Sequence, residues 1–200
     1  MKHLVNKIRD LNVLIIHQKD VYVDELVQQV NRIGCDVEHL YSVPAVLPVG
    51  TDIVLAEIED GIYIEELFAP KKGRPKFVGV IIGILAYENP SILNRLINID
   101  ADAAITKPLR ASGVMSTILM AYKNNLEKRD YLEKILKLNN KFEGVQRINQ
   151  AKLILMRLHS IDENRAYDNL RQQAMSKRTT ILEIASSIIN AVGILNDKTT

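Results

Sequence analysis

The chain has 200 residues, enough for one large domain or two small ones with a true core, and its 47% hydrophobic and 25% charged residues are ordinary for a soluble globular protein. A single cysteine, Cys35, excludes an intramolecular disulfide framework and fits a reducing cytosol. The charged start Met1-Lys-His-Leu-Val-Asn-Lys7 has no apolar h-region, no apolar run reaches the roughly 18 residues of a membrane span, and a net charge of +2 does not by itself announce a nucleic-acid partner.

Residues 1 to about 110 alternate short apolar runs with polar, helix-like stretches, the rhythm of βα units around a parallel sheet. The expected strands are Asn12–Ile16, Asp36–Leu40, Ile53–Ile58, Phe77–Leu85 and Ala103–Thr106, with helices over Val21–Ile33 and Ser91–Ile99. Gly34 stands where a helix C-cap is wanted, and Pro90-Ser91 opens the helix after the fourth strand. Five strands in this order predict an α/β, flavodoxin-like sheet of order 2-1-3-4-5.

No Gly or Pro interrupts Val114 to Phe142, which Gly113 and Gly144 bracket. Within and beyond it, Tyr131, Ile135, Leu138, Phe142, Val145 and Asn149 recur at alternating spacings of four and three, a heptad seam. The surrounding positions are largely Lys, Arg and Asn, so the expectation is a dimerising coiled coil spanning about 45 Å, with an amphipathic helix packed on its own domain as the alternative.

Three short helices are expected after it, as a C-terminal bundle. Ser160-Ile-Asp-Glu163 and Thr180-Ile-Leu-Glu183 both read as capping boxes, placing helix starts beside Ser160 and Thr180. Ile148, Ala151, Leu155 and Leu158 share one stripe, Tyr167 stands one turn before Arg171, and Ile181, Ile184, Ala185, Ile188 and Val192 form an apolar face. From Gln146 onward the balance is +3, against −1 for the rest. That sign suits a polyanionic partner.

The run Arg147-Ile-Asn-Gln-Ala-Lys152-Leu-Ile-Leu-Met156, continued by Arg165-Ala-Tyr167-Asp-Asn-Leu-Arg171-Gln-Gln-Ala-Met175, resembles the ANTAR domain, a three-helix RNA-binding module of transcription antitermination regulators. The resemblance implies binding to paired stem-loops in a nascent leader mRNA, and it makes Arg147, Gln150, Lys152, Tyr167 and Arg171 candidate RNA contacts, with Lys177 and Arg178 adding phosphate contacts. Lys and Arg can meet phosphates, and a Tyr ring or Arg plane can stack on an unpaired loop base. Tyr167 reads equally well as core, and Arg171 as a helical ion-pair partner of Asp168. Lys152 reads as an exposed charge on an otherwise apolar helix. Ala151, Met156, Ala166, Leu170, Ala174 and Met175 are assigned to packing. Where the family often has Gly after the Ala-Lys pair, this chain has Leu153.

The N-terminal rhythm resembles the receiver domain of two-component response regulators, in which an acidic pair after strand one binds magnesium and an aspartate ending strand three accepts a phosphoryl group. Here Ile16-His17-Gln18 stands at the first position, Glu57 at the acceptor position, Ile82-Gly-Ile-Leu-Ala86 offers no hydroxyl residue, and only the Lys107-Pro108 pair survives. Without carboxylates to hold Mg²⁺, charge on a transferring phosphoryl group goes uncompensated. The domain therefore reads as a pseudo-receiver that is not phosphorylated, with Glu57 either paired to Lys107 as a standing charge or a plain strand-end carboxylate.

Residues 1–112 are thus the pseudo-receiver, 113–145 the coiled-coil dimerisation helix and 146–200 the ANTAR module. Arg32-Ile-Gly-Cys35 and Tyr87-Glu-Asn-Pro90 extend the likeness to the antiterminators of bacterial amide operons. By that resemblance the partners are leader mRNA hairpins, a second copy of the chain, and a ligand-sensing negative regulator of periplasmic-binding-protein shape. Nothing resembles an enzyme or calls for a cofactor. His3, His17, His39 and His159 lack metal-ligand spacing, and Cys35 reads as a buried apolar residue. The expected protein is a cytoplasmic homodimeric antiterminator. The alternatives are a DNA-binding response regulator, disfavoured because the last helix carries only Glu183 as a charge, and a protein-docking signalling adaptor.

Overall fold

The computed structural model describes residues 7–69, 76–109 and 111–196. The N-terminal stretch read for a signal peptide, with His3, and the last four residues of the module therefore lie outside the described residues. The chain divides into two compact units, Met1–Arg129 and Asp130–Thr200.

In the first unit, β1 (Asn12–Ile16), β2 (Asp36–Leu40), β3 (Ile53–Glu57), β4 (Val80–Leu85) and β5 (Ala103–Thr106) form one sheet of order β2-β1-β3-β4-β5 with every pair parallel. All five residues of β3 and all six of β4 are buried, because helices cover both faces of a parallel sheet and leave no solvent side. On one face Val13, Ile15, Leu55, Ile82 and Ile84 pack with Val23, Leu26 and Val30 of α1 (Val21–Ile33) and with Val114, Ile118 and Ala121. On the other, Leu14, Ile16, Val54, Ala56 and Leu85 pack with Ile64, Ile92 and Ile99.

The punctuation works as read at two helix ends. Gly34 closes α1 at φ 102°, the left-handed conformation a side chain resists, and its N–H donates to the Asn31 carbonyl. α3 (Pro90–Asn98) starts at its proline, with the Asn89 side chain accepting from Ile92 N at 2.8 Å. Strand four starts at Val80 and not at Phe77. A Cβ on Gly79 would lie 2.4 Å from the Asp52 carbonyl oxygen, so the approach to β4 leaves no room for a side chain there, and the ladder opens with Val80 N donating to that carbonyl at 2.9 Å. Phe77 instead packs on Phe68, ring centroids 5.9 Å apart. The four-residue α2 (Glu65–Phe68) was not expected, being too short to display a helical period.

A single helix, α4 (Ala111–His159), runs through both Gly113 and Gly144, so the first C-terminal helix is its continuation and not a separate element. A mid-helix glycine costs only about 1 kcal/mol. Gly144 is also packed, since a Cβ on it would sit 3.6 Å from a Leu182 methyl. Within the second unit, the end of α4, α5 (Glu163–Ser176) and α6 (Ile181–Asn196) bury Ala151, Leu155, Ala166, Leu170, Ala174, Ile184 and Ala185 together. Leu158, expected on that stripe, is 65% exposed, because α4 ends one residue later and the chain turns away.

The two capping signals part company. Thr180 Oγ1 accepts from Glu183 N and Glu183 Oε2 accepts from Thr180 N, each at 3.2 Å, which is the reciprocal box read in the sequence. Ser160 caps nothing. It lies at φ 51°, in the left-handed turn past α4, and Asp162 caps α5 instead, its Oδ1 accepting from Arg165 N at 2.8 Å. Among the described residues no helix is long and apolar enough to cross a membrane.

Candidate functional site

The carboxyl ends of β1, β3 and β5 converge on a cleft between the first loop and α1. Glu57, the last residue of β3, is buried, and the β5 loop brings Lys107 Nζ within 2.5 Å of its Oε1. Lys107 also donates to Asp20 Oδ2 at 3.0 Å, and Gln18 N donates to Glu57 Oε2 at 3.1 Å. His17, 1% exposed, places Nε2 3.3 Å from Glu57 Oε1. Its Nδ1 lies 2.6 Å from the Gln18 carbonyl, which can only accept, so Nδ1 carries a proton.

Asp20 is the residue sequence reasoning missed. The aspartate just before a helix starting at Val21 was the available signal, since it caps α1 by accepting from Tyr22 N and Val23 N at 2.9 Å each. Burial pushes its carboxyl up, but the Lys107 ammonium and the Val23 N–H outweigh that and hold it below the ordinary carboxylate range. For Lys107, burial lowers the ammonium pKa, and the bonds to Glu57 and Asp20 more than restore it, so it stands above the usual lysine value.

His17, Asp20 and Glu57 bring three potential ligand atoms within 4.8 Å of one another. The set does not suit the magnesium of a receiver. That ion wants oxygen ligands in a near-octahedral shell, an imidazole stands where a carboxylate is needed, and the Lys107 ammonium already bonds both carboxylates. The cleft supplies its own positive charge. Cys35 is buried, its thiol 3.1 Å from the Ile8 carbonyl and pushed up by burial, as an inert packing residue would be.

In the second unit, α5 buries Ala166, Leu170 and Ala174 and turns Tyr167 and Arg171, one turn apart, outward. Tyr167 is 43% exposed, so it is not interior to the bundle. Arg171 is exposed, and no ion pair with Asp168 forms among the described residues. Lys177 and Arg178 are exposed in the turn after α5. On α4, Gln150 and Arg147 are exposed, and Arg147 donates to Ser186 Oγ at 3.4 Å. Lys152 differs from expectation. Its side chain is 15% exposed and its ammonium lies 2.6 Å from Glu163 Oε1 in the first turn of α5. Met175, assigned to packing, is 70% exposed, one turn beyond Arg171 on the same face.

A receiver-type sheet whose acceptor position holds a glutamate bonded to lysine, followed along the chain by a small helical module, defines a regulator-type architecture with an altered receiver. Family comparison agrees for both parts: the N-terminal family model of AmiR matches residues 11–122 and the ANTAR domain model matches residues 136–189. The aliphatic amidase regulator of Pseudomonas aeruginosa is 32% identical over 187 residues, 93% of this chain and 94% of that protein. The chain belongs to the AmiR family of ANTAR-domain transcription antitermination regulators. The transcriptional regulatory protein PdtaR of Mycobacterium tuberculosis is 23% identical over 150 residues, 73% of this chain and 71% of that one. Full-length FixJ from B. japonicum shares the fold, with a TM-score of 0.51 at 12% identity over 92% of this chain and 98% of that chain.

Proposed function

We propose that this protein is an RNA-binding antiterminator, which binds hairpins in a nascent leader mRNA and stabilises them against formation of a terminator. The observation that carries the reading is the outward face of α5, where Tyr167 and Arg171 stand one turn apart in a module of ANTAR type. A ring and a guanidinium side by side suit an unpaired loop base and its phosphate, and loops are where RNA sequence is read. Arg147, Gln150, Lys177 and Arg178 supply further exposed contacts, and Lys152 joins them by exchanging Glu163 for a phosphate. The DNA-binding alternative lacks a basic recognition helix, since α6 carries only Glu183 as a charge.

The active form is a homodimer joined along α4. Tyr131, Ile135, Leu138, Phe142 and Val145 are each more than half exposed, and a second copy of the seam would bury them. Phosphorylation does not control it, because Lys107 already neutralises the acceptor cleft and His17 replaces a metal-binding carboxylate. Control comes from a protein partner in the cytoplasm, a ligand-sensing negative regulator of periplasmic-binding-protein shape, as the amide-operon likeness implies. The protein carries out no catalysis.

Gel-shift titration of the full chain against its own operon's leader RNA, beside duplex DNA of the same sequence, tests the central claim. RNA-selective binding that weakens in Tyr167→Ala and Arg171→Ala is expected. Preference for DNA would sink the reading, and indifference to both would leave the three helices as a protein-docking bundle. Incubation with acetyl phosphate should add no phosphoryl group by intact mass.

A further inference from the structure

We propose that the receiver-like unit carries a second site, a cavity at the carboxyl ends of β1 and β3 that takes a small organic cation. The cavity is a half-open cleft of about 490 Å³, within the range of small-molecule sites. Its walls come from three connections: Gln18 after β1, Tyr41 and Val43 after β2, and, following β3, Tyr63 in the loop with Glu66 and Leu67 on α2. In the order β2-β1-β3-β4-β5, β1 and β3 are the strands between which the winding reverses, where connections leave in opposite directions and open a crevice.

The lining selects the charge of the occupant. Tyr41 and Tyr63 are largely exposed, and the exposed Glu66 carboxylate has no ion pair among the described residues. Among the described residues no lysine or arginine lines the cavity, so an anion would meet the Glu66 carboxylate with no cation there to offset it. A neutral apolar guest would cover Val43 and Leu67 and leave Glu66 desolvated without a counter-charge. An ammonium or guanidinium on a small apolar body meets both demands, with two tyrosines and a carboxylate for the charge and apolar wall for the body. Arg95 is spoken for: it bonds the Glu65 carboxylate, the Glu59 carbonyl at 2.6 Å and the Ile62 carbonyl, which ties down the loop that carries Tyr63. Tyr41 is held edge-on to His39, ring centroids 4.4 Å apart, and His39 Nε2 lies 3.0 Å from the His17 carbonyl. The preformed wall and the acceptor cleft share His17 and Gln18, so an occupant borders the residues that contact Glu57. The receiver-like unit thereby has an input that needs no phosphate. The site stands whether or not the RNA reading does.

Isothermal titration of the full chain with benzyltrimethylammonium, beside benzyl alcohol and benzoate, tests the site. Saturable one-to-one binding of the cation alone is expected, weakened roughly tenfold or more in each of Glu66→Gln and Tyr63→Leu. Both residues are exposed, so the variants should keep the parent's circular dichroism and Tm, which would be checked alongside. Absence of saturable binding, equal binding of benzyl alcohol, or an affinity unchanged in both variants overturns the proposal. A capped Gly-Arg-Gly peptide is run in parallel. Binding of the peptide with none of the free cation would move the site from a small ligand to a partner's side chain, and also overturns it.

Discussion

Lys107 Nζ stands 2.5 Å from Glu57 Oε1, and the same ammonium reaches Asp20 Oδ2 at 3.0 Å, so one cation from the β5 loop joins the end of β3 to the start of α1. Glu57 is buried, and replacing Lys107 leaves its carboxylate without the ammonium that bonds it. Lys107→Met should therefore lose about 3 kcal/mol of unfolding free energy in urea titration, in the range for breaking one side of a buried pair. The double variant Glu57→Gln, Lys107→Met should recover most of the loss, because no buried charge is then left unmatched. A single variant as stable as the parent would show that the pair does not hold the cleft.

The same cluster sets a pH dependence of defined sign. Asp20 has a folded pKa below its unfolded value near 3.9, so its stabilising contribution is present above that value and fades as pH falls through the folded one. Lys107 is raised, so its contribution is complete below about 10.4 and fades as pH climbs through the folded value. Tm measured across the acid range should fall less steeply below about pH 4 in Asp20→Asn than in the parent. A parallel slope in the two proteins would contradict the assignment.

Helix entry in the second unit gives a sharper contrast. Thr180→Ala removes the acceptor of the Glu183 N bond, and Asp162→Ala removes the bond to Arg165 N, so each should cost about 1 kcal/mol. Ser160→Ala should change stability little, because Ser160 caps no helix. Thermal unfolding of the three variants decides between this arrangement and a box at Ser160, which would reverse the ranking of Asp162 and Ser160.

Along α4 the exposed seam predicts an oligomer. Sedimentation equilibrium should find the parent dimeric and Leu138→Glu, Phe142→Glu monomeric, since charges facing each other across a heptad seam stay solvated only if the helices part. Dimers surviving both charges would place the interface elsewhere.

For RNA, Arg171→Ala should lower the slope of log K against log salt by about 1, the loss of one released counterion. Glu163→Gln should tighten binding, because it frees the Lys152 ammonium from its 2.6 Å partner. Weaker binding in Glu163→Gln would show that this carboxylate positions Lys152 and does not compete for it.

Period and punctuation were enough to read much of this molecule from its residues. β1, β2, β5 and α1 end where Gly34, the polar loops and the alternation of buried runs say they should, because local propensity and burial agree there. Glu57 and Lys107 were legible as partners because the receiver pattern supplies their positions. What the residues alone determined was the sheet order, the loss of the acidic pair and the ANTAR-like stripe. Only the tertiary structure decided which atoms share the cleft. Asp20 enters through the start of α1, and His17 turns its ring on Glu57, through contacts 40 to 87 residues apart that no local pattern records. It also decided that α4 runs through Gly144, that Ser160 ends a helix and starts none, and that Lys152 is paired while Met175 faces outward. At Gly144 the local preference against a mid-helix glycine is worth only about 1 kcal/mol, and packing against Leu182 of a neighbouring helix outweighs it by a margin that period and propensity do not carry.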